Sequence, residues 1–153
     1  ASQIGFQSGT VAGSINLRAT LQAGGIDVTP APTPTRAFAV GRGAPVIRSL
    51  ALANRTATAF SAVIVAYAVT REINSVDVTF APSGTGSLQT TSLQVDVGAR
   101  FATWYGSADA APNGGLFTLT IPFTVQGDIA ALRSITVTLR NGDGASQPMS
   151  ANF

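Results

Sequence analysis

Phe117-Thr118-Leu119-Thr120-Ile121-Pro122-Phe123-Thr124-Val125 alternates strictly between apolar and other residues. Phe117, Leu119, Ile121, Phe123 and Val125 fall on one face of an extended chain, and Thr118, Thr120, Pro122 and Thr124 on the other. A period of two over nine residues is the mark of a strand with one face buried and the other open to solvent.

The same pattern recurs outward in both directions. On the C-terminal side Ile135, Val137 and Leu139 repeat it, Asn141-Gly142-Asp143-Gly144 supplies a tight turn, and Ser146–Phe153 reads as a closing strand. On the N-terminal side Val46–Ala53 is a strand. Phe60–Thr70 is a longer one, apolar on both faces, as a central strand requires. Ser75–Ala81 places Val76, Val78 and Phe80 inward, and Leu93, Val95 and Val97 mark a further strand after the Pro82–Gly86 turn. Val97–Ser107 is the one helical piece, with Phe101, Trp104 and Tyr105 on a common face. Seven or more short strands with turns between them predict an all-β antiparallel sandwich over residues 44–153.

Upstream the pattern thins. Ser14–Gln22 alternates, with Ile15, Leu17, Ala19 and Leu21 on one face, and Gln3–Phe6 with Thr10–Ala12 read as its partner strand, turning at Ser8-Gly9. Gly24-Gly25 then breaks the chain before a short strand at Ile26–Thr29. Pro30, Pro32 and Pro34 alternate with small residues, which predicts a polyproline-like spacer over residues 30–43. An edge crossing between two sheets is the other reading of the same run. Residues 1–29 are thus an N-terminal strand extension too short for its own core.

Composition excludes several functions. Apolar residues make up 45% of the 153 and charged residues 10%, far from the signature of disorder. The nine basic residues are all Arg and are scattered singly from Arg18 to Arg140, without the clustering that a nucleic-acid surface needs. No apolar run is long enough for a membrane-spanning helix. Lys, His and Cys are absent, which removes Schiff-base amines, imidazole bases, thiolate nucleophiles and the usual zinc ligands. The expectation is a protein without catalysis, cofactor or metal. Ala1 at the start fits a mature chain after signal-peptide removal, or a processed fragment.

Candidate sites are few. Trp104 and Tyr105, with Tyr67 nearby, suit either a stacking platform for a sugar ring or a plug at the end of the core. Asn141 and Asp143 read as hairpin-turn residues, without the acid spacing of a calcium loop. Arg71-Glu72 reads as a strand corner, and Asn54-Arg55-Thr56 as a turn that happens to match a glycosylation sequon. Asp27, Asp77, Asp96, Asp109 and Asp128 have no spacing that suggests a paired-carboxylate hydrolase. Ile15, Leu17, Ala19 and Leu21 form a candidate strand-donor segment.

Several distributed motifs carry a resemblance over residues 45–153. They are Ala44-Pro45-Val46-Ile47, the corner Val69-Thr70-Arg71-Glu72 leading into Val76-Asp77-Val78-Thr79-Phe80, Phe101-Ala102-Thr103-Trp104-Tyr105, and Phe117–Phe123. Together they resemble the immunoglobulin-like modules of large secreted and surface proteins of environmental bacteria. The resemblance implies a spacer or adhesive part, extracellular or at the cell surface, with no catalytic residues to carry over. It also makes residues 1–29 look like the tail of a preceding module of the same kind. Three functions follow as expectations: a non-catalytic structural or adhesive module, a filament subunit joined to identical subunits by strand complementation, and a carbohydrate-binding module for surface polysaccharide. Neighbouring modules or identical subunits are the expected partners.

Overall fold

The computed structural model describes residues 9–84 and 87–153. In chain order the strands are β1 (Gly13–Arg18), β2 (Gln22–Ala23), β3 (Ile26–Asp27), β4 (Thr35–Val40), β5 (Val46–Ala53), β6 (Ala59–Tyr67), β7 (Ser75–Pro82) and β8 (Ser92–Asp96). A single helix α1 (Gly98–Tyr105) and a 3₁₀ segment (Ala108–Asn113) follow. Then come β9 (Leu116–Thr124), a 3₁₀ turn (Ile129–Ala131), β10 (Leu132–Asn141), β11 (Gly144–Ala145) and β12 (Met149–Asn152).

Two antiparallel sheets enclose the core. One has the order β5-β6-β9, and the other β8-β7-β10, with β11 and β12 sharing the remaining edge of β10. This is an antiparallel sandwich in which the chain changes sheet after β6, β8 and β9, with α1 carrying the crossover from β8 to β9. The alternation read from sequence decides which side chains enter the core. Phe117 and Ile121 of β9 are buried while Thr118, Thr120 and Pro122 are exposed. Ile135, Val137 and Leu139 of β10 are fully enclosed, as are Val76 and Val78 of β7. β6 lies between β5 and β9, so its outward residues Val63, Val65 and Tyr67 are half-covered by neighbours and its inward ones are sealed.

The poles of the sandwich differ. At one, here called distal, Phe60 stacks on Phe123 with ring centres 5.0 Å apart and meets Phe153 edge to face at 4.8 Å. Phe101, Tyr105 and Phe117 fill the other, proximal pole, Phe101 lying 4.7 Å from Phe117. β5 starts opposite Tyr67 at the proximal pole. β12 ends opposite Ser134, near the distal start of β10. The chain therefore enters the sandwich at one end and leaves it at the other.

Residues 9–43 form an arm outside the sandwich. β1 pairs with β4 in antiparallel register, Leu17 opposite Arg36, and β2 and β3 close its tip around Gly24-Gly25, both at positive φ. This corrects two expectations. β1 does not pair with Thr10–Ala12, and the part of that expected partner at Gln3–Phe6 lies outside the described residues. Nor is the stretch after Pro34 a spacer, because Thr35–Val40 is a paired strand. The prolines occupy the loop before it, where no ladder N–H is required.

Candidate functional site

The proximal pole collects most of the polar structure. Asn141, at the end of β10, is buried, and its Nδ2 donates to the Gly43 carbonyl and to Thr70 Oγ1, both at 3.0 Å. Its Oδ1 accepts the Asp143 N–H at 3.0 Å, which shapes the turn into β11. Asp143 receives both Arg42 Nε and Arg42 Nη2 at 3.1 Å, a bidentate pair that raises the Arg42 pKa. From the other side of the arm, the Ala12 N–H donates to the Val69 carbonyl at 2.7 Å, and Thr10 Oγ1 accepts the Gly115 N–H at 3.1 Å. Both legs of the arm are thus fastened to one pole. Asn141 and Asp143 act there as a clasp, a role that the turn reading of the sequence did not contain.

Beside this clasp lies the Arg71 corner. Arg71 sits at φ +54°, a left-handed conformation that side-chain-bearing residues seldom adopt. Its N–H donates to the Ala68 carbonyl, its Nη2 to the Tyr105 carbonyl, and its guanidinium lies 5.2 Å from the centre of the Tyr105 ring. Its Nε is buried without a partner among the described residues. Arg71 binds the helix α1 to the corner between β6 and β7.

Trp104 and Tyr105 separate at this point. Tyr105 is buried, donates its hydroxyl to the Gly115 carbonyl at 2.9 Å, and packs on Phe101 and Phe117. Burial pushes its phenol up to about 12, with Arg71 pulling the other way. Tyr105 is therefore part of the core and has no open face on which a sugar could stack. Trp104 is half-buried, 4.6 Å from the Tyr105 ring, and one partly covered ring is a poor platform by itself.

The carboxylates serve separate local bonds. Asp77 binds Arg140 and accepts Gln94 Nε2 at 2.8 Å, which together hold its carboxyl below the usual range. Asp96 caps the Gly98 N–H, Asp128 caps Ala130, and Asp27 accepts the Thr29 N–H at the arm tip. No group of three or more His, Cys, Asp or Glu comes together among the described residues. Two shallow clefts, of about 610 and 570 Å³, flank the distal pole. The first is bordered by Arg55, Arg133 and Phe153, the second by Phe60, Phe80, Leu93 and Phe123.

Ile15, Leu17, Ala19 and Leu21 lie along one leg of the arm. Ile15 and Leu17 are half-covered, Ala19 is exposed, and Leu21 is 50% exposed. Across the arm tip Ile26 and Val28 are 69% and 52% exposed. Comparison with protein-family models, curated proteins and solved structures gives no match.

Proposed function

We propose that this chain is a non-catalytic structural module of an extracellular bacterial protein, one that spaces and displays other parts by joining them end to end. The observation that supports it most is the path of the chain. It enters the sandwich at the proximal pole, leaves at the distal one, and is clasped to the arm through Arg42, Asp143 and Asn141. A load applied along such a path is carried across the β5–β6 and β10–β12 ladders, which resist it in shear. The described side chains support a scaffold more than a reaction centre, since five of the seven acids, Asp27, Asp77, Asp96, Asp128 and Asp143, are engaged in local structural bonds.

Pulling the full chain from its two ends in a single-molecule force experiment tests this. Unfolding of residues 44–153 in one step should release roughly 350–400 Å of contour, at about 3.6 Å per residue. Gradual extension without a discrete step, or hydrolysis of a polysaccharide or ester by the chain, would contradict the proposal.

The exposed arm favours a second reading, a filament subunit whose strands complete a neighbour's sheet. A contact of that kind repeats without closing and produces fibres. Fibres in electron micrographs, and mass that grows with concentration in light scattering, are expected from it. A constant monomer mass, unaltered when residues 1–29 are removed, would count against it.

A further inference from the structure

The arm repeats the end of the sandwich. Residues 9–30 align without a gap on residues 127–148. Gly9, Ala12, Thr20, Leu21, Gly24 and Pro30 coincide with Gly127, Ala130, Thr138, Leu139, Gly142 and Pro148. Val11, Leu17 and Ala19 stand where Ile129, Ile135 and Val137 do.

The strand pairing follows the same correspondence, although the turns themselves differ, Gly24 and Gly25 lying at positive φ where Gly142 and Asp143 do not. The arm tip pairs Gln22 with Asp27 and Ala23 with Ile26, while the β10–β11 turn pairs Arg140 with Ala145 and Asn141 with Gly144. In each, the next N–H closes on the same leucine, Val28 to the Leu21 carbonyl and Ser146 to the Leu139 carbonyl, both at 2.8 Å. In each, a hydroxyl accepts the N–H of that leucine: Thr29 at 2.8 Å in the arm, Ser146 at 3.0 Å in the sandwich. The arm loop is longer after its proline, yet the returning strand regains the register. Arg36 faces Leu17 as Ala151 faces Ile135, and Phe38 faces Ile15 as the Phe153 N–H bonds to the Arg133 carbonyl. Sequence, turn register and return register agree, and the last two do not follow from composition.

The surroundings are what differ. Ile135, Val137 and Leu139 are sealed against the opposite sheet, and the second edge of β10 is paired with β7. Leu17, Ala19 and Leu21, their counterparts, have no facing sheet among the described residues, and β1 pairs with β4 alone there. We propose that the arm is the closing strand pair of a second sandwich of this same type, and that the partner it fits is the five-strand remainder of such a sandwich, equivalent to residues 46–124. The face of Leu17, Ala19 and Leu21 then becomes core, and the open edge of β1 receives a strand equivalent to β7. Gly9–Ala12, the counterpart of Gly127–Ala130, becomes the loop that meets the next module's pole, where it already contacts Val69 and Gly115. The inference rests on register and not on the functional reading above.

A swap tests it. In the full chain, residues 127–153 are replaced by a second copy of residues 9–40, and urea unfolding is followed through Trp104 fluorescence. The swapped chain should unfold cooperatively with the denaturant slope of the original, at a lower midpoint because Ala19 and Ser14 replace the buried Val137 and Leu132 and Ala23 replaces Asn141 of the clasp. A second version carrying Ala19→Val in the grafted copy should recover part of the midpoint. Within the graft, Leu17→Asp with Leu21→Asp should abolish the transition, whereas Arg18→Asp with Thr20→Asp should preserve it. A control adds three residues after Pro148 of the original chain, to reproduce the longer loop. If that control still unfolds cooperatively while both swapped versions do not, the proposal is overturned. Equal effects of the two Asp pairs would overturn it as well.

Discussion

Replacing Asn141 by Ala removes the centre of the clasp between arm and sandwich. Three hydrogen bonds are lost together: two donated by Nδ2, to the Gly43 carbonyl and Thr70 Oγ1, and one accepted from the Asp143 N–H. Each bond of this kind contributes about 0.5–1.5 kcal/mol net. Asn141 is only 8% exposed, so Gly43 and Thr70 are left with unmet polar groups in a site that water reaches poorly. The Asp143 N–H lies in an exposed turn and recovers a water partner, which places the total near 2–3 kcal/mol. With a urea slope of about 2 kcal/mol/M for a domain of this size, the midpoint should fall by roughly 1–1.5 M at unchanged slope. Asn141→Asp keeps the acceptor for Asp143 but loses both donated bonds and sets a carboxylate beside Asp143, so it should be no more stable than Asn141→Ala at neutral pH. Hydrogen exchange gives a second readout, since the Ala12 amide should exchange faster as the arm base loosens. A midpoint within about 0.3 M of the original, with unchanged exchange at Ala12, would refute the clasp, since surface substitutions stay within about 0.5 kcal/mol.

Further outcomes follow from the core and its titrating groups. Ile64→Ala, at a fully enclosed site on β6, should lower stability by about 2–5 kcal/mol in the same urea assay. Tyr105→Phe removes one of the two hydrogen bonds to the Gly115 carbonyl, which keeps the Ala68 N–H, and should cost about 0.5–1.5 kcal/mol. Because burial raises the phenol to about 12, Tyr105 stabilises the fold fully below its unfolded value near 10. That contribution should fade between about pH 10 and 12, and Tyr105→Phe should flatten this part of the profile. Asp77 is lowered by Arg140 and Gln94, so its contribution is present above about pH 4 and is lost as pH falls through its folded pKa. The pair is exposed, so Asp77→Asn should reduce stability at neutral pH by under about 1 kcal/mol and weaken the acid dependence.

The sandwich was legible where burial imposes a strict period. β9 and β10 alternate because one face meets the opposite sheet, and β6 is apolar on both faces because strands flank it on both sides. α1 was legible for the same reason, its Phe101 and Tyr105 sharing a buried face. The arm was harder to read. β4 is Thr-Arg-Ala-Phe-Ala-Val, exposed along nearly its whole length, so no period marks it, and the prolines ahead of it draw the eye to a spacer. The partner of β1 therefore could not be read from local pattern, which carries no information on pairing across an irregular loop. The Arg71 corner was equally hidden, since its positive φ is imposed by the bond to Tyr105 and the turn at Ala68 and not by its residue type. The clasp needed three segments distant in sequence, Arg42-Gly43, Thr70 and Asn141–Asp143, and only the fold brings them together.

The most direct test of the pole-to-pole account is a distance. The chain has no native Cys, so spin labels can be placed on Ile26→Cys at the arm tip and Asn152→Cys at the distal end without interference. The sandwich is about 30 Å long and the arm adds roughly 35 Å, at about 3.3 Å per residue of strand. Pulsed electron resonance should therefore give a distance well beyond 30 Å, approaching about 60 Å if arm and sandwich lie nearly in line. A single population at or below about 30 Å would mean that the arm folds back along the sandwich, and would contradict the account.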